Sequence, residues 1–523
     1  MRVFLAFLLW LLTPGLAHAA WHEVSSDHFV VYADSSEANL RRFSEQLERY
    51  HSAMAYLTQL NDAVPSPSNR VTIYVVGSEG EVRKLMGGKN RNVAGFYRPR
   101  AGGSLAVIPS VSSKNSGDLV NFSMAILLHE YAHHFLITNS SFAVPRWAAE
   151  GAAEFFAAAS FGADGSVRLG RPSDHRAAEL AFAKDVTATD LLDPELYEKR
   201  RGKGQPYDAF YGKAWLLYHY LSFEPARKGQ LRAYYDALSK GQPLREAGAA
   251  VFGDFKQLEK ELDAYAQRPK LFAYTLKPAL LSTGKITLRP LRPGEVAILP
   301  VRQRSRVGVS KETAPAVLKD ARAVAAKFGS DPAVQAALAE AEFDAGNDRE
   351  AIAAADAAIL IDPGQANAYI QKGYALLRRA ADSGDAKAFQ AARAPFLALN
   401  KLENDHPLPL LYFYLTYARQ GQKPPANAVL GLERASQLAP FDFGLRMTVA
   451  MQQVRDGLHD AALANLTPVA LNPHGGGLAE FARKTIERIK SEPAWRGQGS
   501  NADLFDEEGE GDEPPKSRSP NFL

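Results

Sequence analysis

The stretch Ala125–Ala158, AILLHEYAHHFLITNSSFAVPRWAAEGAAEFFAA, sets three histidines and three glutamates into an otherwise apolar run. A buried carboxylate or imidazole without a partner costs several kcal/mol, so an apolar helix carries such groups only where something offsets the cost. A shared divalent cation does so. In HEYAH, His129 and His133 stand four residues apart, one helical turn, so both imidazoles project from one face toward a single ion. Glu130 lies beside the first of them and can take a proton from a water on that ion without binding the ion itself. His134 is about 100° further round the helix and is expected to pack or cap.

A catalytic zinc uses three protein ligands and keeps a fourth position for water, so one more ligand has to come from outside this turn. A metzincin would continue the same helix to a glycine and a third histidine; Leu136 and Asn139 hold those places, which excludes that pattern. Downstream, VPRWAAEGAAEFF offers Glu150 and Glu154, four apart on an expected second helix. The loop Thr138–Pro145, TNSSFAVP, lets that helix fold back antiparallel on the first.

The two helices together resemble the gluzincins, specifically the peptidase-MA-like group, where HExxH on one helix is followed by a Trp-x-x-Glu-Gly-x-Ala-Glu string on the next. The matching residues are Trp147, Glu150, Gly151, Ala153 and Glu154, and the resemblance covers roughly residues 21–225. It implies a zincin-like fold, Zn2+ as cofactor, and Glu150 as the third ligand beside His129 and His133. It further implies that Glu154 hydrogen-bonds the far nitrogen of His129 and so fixes its tautomer. Gluzincins often stabilise the oxyanion with a tyrosine or histidine from a later helix; Tyr211 in AFYGKAW is the candidate, with Tyr207 behind it. A core aromatic packed on Trp215 is the competing reading of Tyr211.

Outward from this centre, residues 20–268 read as one α+β metallopeptidase domain. HFVVYA, RVTIYVV and the two halves of VAGFYRPRAGGSLAVIP read as strands, the last pair joined by a Gly-Gly turn. Between them Leu40, Phe43, Leu47, Tyr50 and Met54 recur at helical spacing behind a Ser35 or Ser36 cap. FYGKAWLLYHYLSF has the all-round bulk of a buried helix. Prolines and alternating apolar residues make 269–313 a β-containing connector.

From 314 to 490 the chain turns alanine-rich and helix-periodic, with tags ending at Pro332, Pro363, Pro407, Pro440 and Pro473, spaced 31, 44, 33 and 33 residues. Three of these fit a period near 34, and ADSGDAKAF accounts for the longer one as an insertion. The pattern resembles tetratricopeptide repeats, helix hairpins that must stack to bury their apolar faces. The tail 497–523 is acidic and proline-rich, with too little apolar content to fold.

Residues 1–19 carry one arginine, an apolar run from Val3 to Leu12 and an Ala17-His18-Ala19 ending. That order reads as a signal peptide cleaved after Ala19, since the apolar run is about half the length that spans a bilayer. No stable membrane span is expected after cleavage, and the location is periplasmic or secreted. The 523 residues include no cysteine, so an exported chain must rest on its cores. Lys+Arg 61 against Asp+Glu 58 gives a net charge of +3 with mixed signs, which offers no reason to expect nucleic acid.

The expected whole is an α+β zincin-like metallopeptidase domain followed by an all-α tetratricopeptide-like domain. It would hydrolyse a peptide or protein substrate, with a possible protein partner recruited on the repeats. A repeat scaffold with a non-catalytic metal site, and a zinc amidohydrolase acting on a non-peptide amide, are the alternatives.

Overall fold

The computed structural model describes residues 21–60, 63–87, 94–111, 121–140, 142–172, 174–182, 186–201, 208–472 and 476–498. The expected signal segment, Tyr207, Pro473 and all but the first two residues of the expected tail lie outside the described residues. The strands are β1 Trp21–Ser25, β2 Phe29–Asp34, β3 Val71–Val75, β4 Phe96–Arg98, β5 Leu105–Ile108, β6 Ser160–Phe161, β7 Val167–Leu169, β8 Tyr274–Leu276 and β9 Thr287–Pro290. Six of them form one sheet in the order β4-β5-β3-β2-β1-β9. The pairs β2/β3 and β3/β5 are parallel, while β4, β1 and β9 each run antiparallel to their neighbours. Gly102 and Gly103 make the tight β4–β5 turn at φ +75° and +117°, values that favour glycine.

Alternation along the central strands assigns their two faces. Phe29, Val31, Val71, Ile73, Ala106 and Ile108 enter the main core. Tyr32, Tyr74, Leu105 and Val107 enter a second cluster on the other side. A sheet buried on both faces needs helices on both. Helix α1 (Glu37–Thr58), capped by the Ser36 hydroxyl accepting from Asn39 N, packs on the main-core side. Next come α2 (Glu79–Leu85), α3 (Phe122–Asn139), α4 (Arg146–Ala157), α5 (Asp174–Phe182), α6 (Ala188–Leu192), α7 (Pro194–Arg201) and α8 (Phe210–Phe223). Then follow α9 (Gln230–Ser239), α10 (Leu244–Phe252), α11 (Phe255–Ala266) and α12 (Pro293–Val307).

The far face of the sheet is covered by α2 through Val82 and by α12 through Leu299 and Val307. The stretch expected as a β-containing connector thus holds β8 and β9 and also the 15-residue α12. Its prolines misled because one of them opens a helix: Pro293 sits in the first turn, where a missing N–H costs nothing. Arg289 of β9 reaches Glu23 of β1 at 2.7 Å and Glu295 of α12 at 2.8 Å, tying the stretch to the sheet.

Beyond it the described residues are all helical up to Ser491: α13 Ala314–Phe328, α14 Pro332–Asp344, α15 Asp348–Ile361, α16 Ala366–Ser383, α17 Ala386–Leu402, α18 Pro407–Arg419, α19 Ala426–Leu438, α20 Phe443–Arg455, α21 His459–Ala470 and α22 Gly477–Ser491. Each packs on the next. Helices α14, α16, α18, α20 and α22 begin 34, 41, 36 and 34 residues apart. The long unit is long because both its helices are, at 18 and 17 residues around Gly384. No helix among the described residues is long and apolar enough to cross a membrane.

One carboxylate in this region is misfit. Burial, then the neighbouring Glu340 charge, push Asp344 up to about 7 from its ordinary 3.8. A carboxyl raised in the folded state binds its proton more tightly there, so the stability it contributes is present below about pH 4 and is lost as pH rises through 7. Asp344→Asn is therefore expected to stabilise the protein by on the order of 1 kcal/mol at pH 8 and by little at pH 4, as read by urea denaturation at the two pH values.

Candidate metal centre

The site is built on two helices, α3 and α4, that pack against each other. Helix α3 starts at an Asn121 cap and buries Leu127, Leu128, Tyr131 and Phe135 in the main core. After the loop, α4 buries nearly its whole surface, from Trp147 to Ala157. Its close partner is α8: a Cβ on Gly151 would stand 2.4 Å from the Ala214 carbonyl oxygen and 3.1 Å from Tyr218 Cβ. Glycine at 151 is what lets the two backbones approach.

This crossing sets Glu150 opposite the two histidines. Glu150 Oε2 lies 3.4 Å from His129 Nε2 and 3.3 Å from His133 Nε2, and the two imidazole nitrogens are 3.1 Å apart. Glu154, one turn on, stands 3.3 Å from His129 Nδ1. That His133 and then His129 meet Glu150 and then Glu154 means the helices run antiparallel. Side-chain exposure falls from 17% at His129 and 11% at His133 to 0% at Glu150.

Glu150 tests whether these residues suit a metal ion. Both of its carboxylate oxygens are buried, and Oε2 has the two imidazole nitrogens at 3.3–3.4 Å without a well-formed hydrogen bond. A fully buried carboxylate left this way is strongly unfavourable unless a cation is meant to sit on it. Burial raises the Glu150 carboxyl, but the two imidazoles outweigh it and hold it well below the ordinary range. At His129 burial alone would lower the pKa; Glu150 and Glu154 overcome it and raise the imidazole to about 10. The pocket thus calls for positive charge. One ligand atom from each of His129, His133 and Glu150 fits within 4.8 Å of the others, so this group could hold a metal ion.

Glu154 is itself held. Arg176 of α5 donates to Glu154 Oε1 at 2.6 Å and to Glu179 Oε2 at 2.8 Å, and is only 4% exposed. Burial would raise Glu154, yet Arg176 and then His129 keep it well below the carboxylate range. The chain from His129 through Glu154, Arg176 and Glu179 fixes the imidazole from behind. The Arg176 guanidinium also lies 4.8 Å over the Tyr211 ring. The Glu150 charge, followed by burial, pushes the Tyr211 hydroxyl well up, so it stays protonated and can donate. Tyr211 also packs against the main core, which includes Trp215, and Trp215 in turn lies on His219 at 4.9 Å.

Glu130 lies on α3, and its charge acts on Tyr97 of β4. His134 turns away from His129 and His133 and meets the Tyr97 hydroxyl at 2.6 Å. Burial, then His51 and His28, lower it to about 3, so it is neutral. Sequence reasoning missed Arg146, Arg176 and Glu179. Arg146 could have been found: it precedes Glu150 by four residues, the same turn spacing, and its guanidinium stacks over Phe210 at 4.2 Å. Arg176 carried no such signal, because a lone arginine in HRAAEL reads as solvated.

No curated protein matches the chain. Residues 123–245 match a family model described as a protein of unknown function, DUF1570, and this span runs from the first turn of α3 into α10, so it holds every residue of the site just described.

Proposed function

We propose that the protein is an exported zinc metallopeptidase, in which His129, His133 and Glu150 hold the ion and Glu130 is the general base. The observation that carries this reading is the fully buried Glu150, whose Oε2 faces a pair of imidazoles one helical turn apart at 3.3–3.4 Å. Three ligands on two helices, with no cysteine in the chain, suit a catalytic zinc better than a structural one, which four ligands normally close. When bound, zinc would supply Lewis acidity toward the scissile carbonyl and a lowered pKa for water. Glu130 accepts the proton from the attacking water and delivers it to the leaving amine. Tyr211, kept protonated by Glu150, donates to the developing oxyanion.

The three-layer arrangement, with an antiparallel strand β4 at the sheet edge next to α3, supports a zincin-like fold for the α+β part. The near-34-residue recurrence of paired helices supports tetratricopeptide-like repeats that recruit a protein substrate or partner. Elemental analysis of the mature protein, coupled to proteomic cleavage profiling of wild type beside Glu130→Gln, tests the whole reading; metal-replete protein with zinc near zero would sink it.

The support behind His129 is testable separately. Glu154→Gln is expected to weaken zinc about 10- to 100-fold and Arg176→Met about 10-fold, both measured by chelator competition, with activity returning in added zinc.

A further inference from the structure

The repeat helices reach back onto the metal helix. Phe441, in the turn between α19 and α20, is 3% exposed and lays its ring on His134, with 4.2 Å between centroids. His134 directly follows the ligand His133 in α3. Tyr97 and the stacked Tyr131 ring, 5.7 Å away, close its other sides. Ile137, the next residue along that face, packs in the same apolar cluster as Phe441 and Leu432.

Polar bonds surround the contact. Ser68 donates to Glu403 through both N and Oγ at 2.8 Å, Asn69 Nδ2 donates to Leu438 O at 2.8 Å, and Ala101 N donates to Asp442 Oδ2 at 2.8 Å. Gly102 admits Leu408 so closely that a Cβ there would stand 2.6 Å from it.

These contacts matter because the two ligand helices are held differently. Helix α4 is locked in the core by its crossing with α8. Helix α3 is tied on its inner side by Tyr50, which donates to Leu128 O at 2.9 Å, and by His51 at 2.7 Å from the Tyr131 hydroxyl. The outer side of its second half is closed by the repeat domain. Any rotation of α3 carries His129 and His133 away from Glu150, and metal sites tolerate ligand displacements of only about 0.2 Å.

We propose that the docked repeat domain is a working part of the metal centre, and that Phe441 is a positioning residue that sets the rotation of α3 through His134. The proposal rests on the reading of His129, His133 and Glu150 as a zinc site. It also gives the repeats a second task, since whatever shifts Phe441 on His134 shifts the ligand set.

The test uses the full mature chain, with Zn2+ affinity from chelator competition and the visible spectrum of the Co2+-loaded protein as a report on ligand geometry. Phe441→Ala is expected to weaken zinc about tenfold and alter the cobalt bands, and Phe441→Leu, which restores most of the bulk, to recover both. Glu403→Ala, which cuts the bonds to Ser68 and leaves Phe441 and Asp442 in place, should leave the bands unchanged. A folded Phe441→Ala with wild-type affinity and spectrum overturns the proposal. Should that variant fail to fold, Asp442→Ala decides, because it keeps the ring and loses both the bond to Ala101 and the cap on Leu445 N that hold the Phe441 turn in place: altered bands support the proposal and unchanged bands overturn it. Wild type that takes up no zinc is a different result, and it removes the metal-site reading together with this one.

Discussion

Glu130→Gln is expected to lower peptide hydrolysis by about 10² to 10⁴ while leaving bound zinc at the wild-type level, because a lost general base typically costs that much in rate. The substitution keeps the size of the side chain and removes only its capacity to take a proton. It should not disturb the proposed ligands, since Glu130 is not among His129, His133 and Glu150, the three residues that could hold the ion. The measurement is cleavage rate on a peptide library, with zinc content by elemental analysis on the same preparation. Equal rates for variant and wild type would remove Glu130 from the chemistry. If neither cleaves anything in a broad library while zinc stays bound, the repeat scaffold with an idle metal site becomes the better description.

Gly151→Ala carries the second large effect, and there two elementary arguments oppose each other. Replacing a mid-helix glycine by alanine normally stabilises a helix by about 0.5–1 kcal/mol. At 151 the new methyl would meet the Ala214 carbonyl oxygen at 2.4 Å and its carbon at 2.8 Å, and these are backbone atoms of α8 that cannot swing aside. Overpacking of this kind costs about 1–3 kcal/mol or more, so the contact wins and the net change is destabilising by roughly 2 kcal/mol. Moving α4 also moves Glu150, the preceding residue, so zinc affinity should fall along with the denaturation midpoint. A variant as stable as wild type with unchanged zinc would mean that α4 and α8 can separate freely.

How much of this was open to the sequence depends on the range of each interaction. The HEYAH turn and the Glu150/Glu154 pair were legible because ligands on a helix must repeat every turn, a rule confined to a few neighbouring residues. Strands β2 to β5 and helices α1 and α8 were legible for the same reason, through period-two and period-3.6 patterns. What stayed hidden is what depends on distant partners. Strand β1 gives little pattern over five residues, and its outer partner β9 lies hundreds of residues later. Arg176 becomes significant only because α5 folds over Glu154. Phe441 looks like an ordinary repeat aromatic until its neighbour is seen to be His134.

The pairing of β1 with β9 governs the order in which the molecule can be completed. The ribosome makes β1 first and must add every residue of α3, α4 and α8 before the partner strand at Thr287–Pro290 exists. At about 5–20 residues per second, Pro290 follows Glu150 by roughly 7 to 30 seconds. Until then β1 is an open edge with unpaired N–H and C=O groups, and the far face of the sheet lacks the α12 helix that covers it. Helices α3 and α4 are therefore synthesised well before β9 and α12, and any chain stopped short of residue 290 is left with an uncovered apolar sheet and a ready template for aggregation.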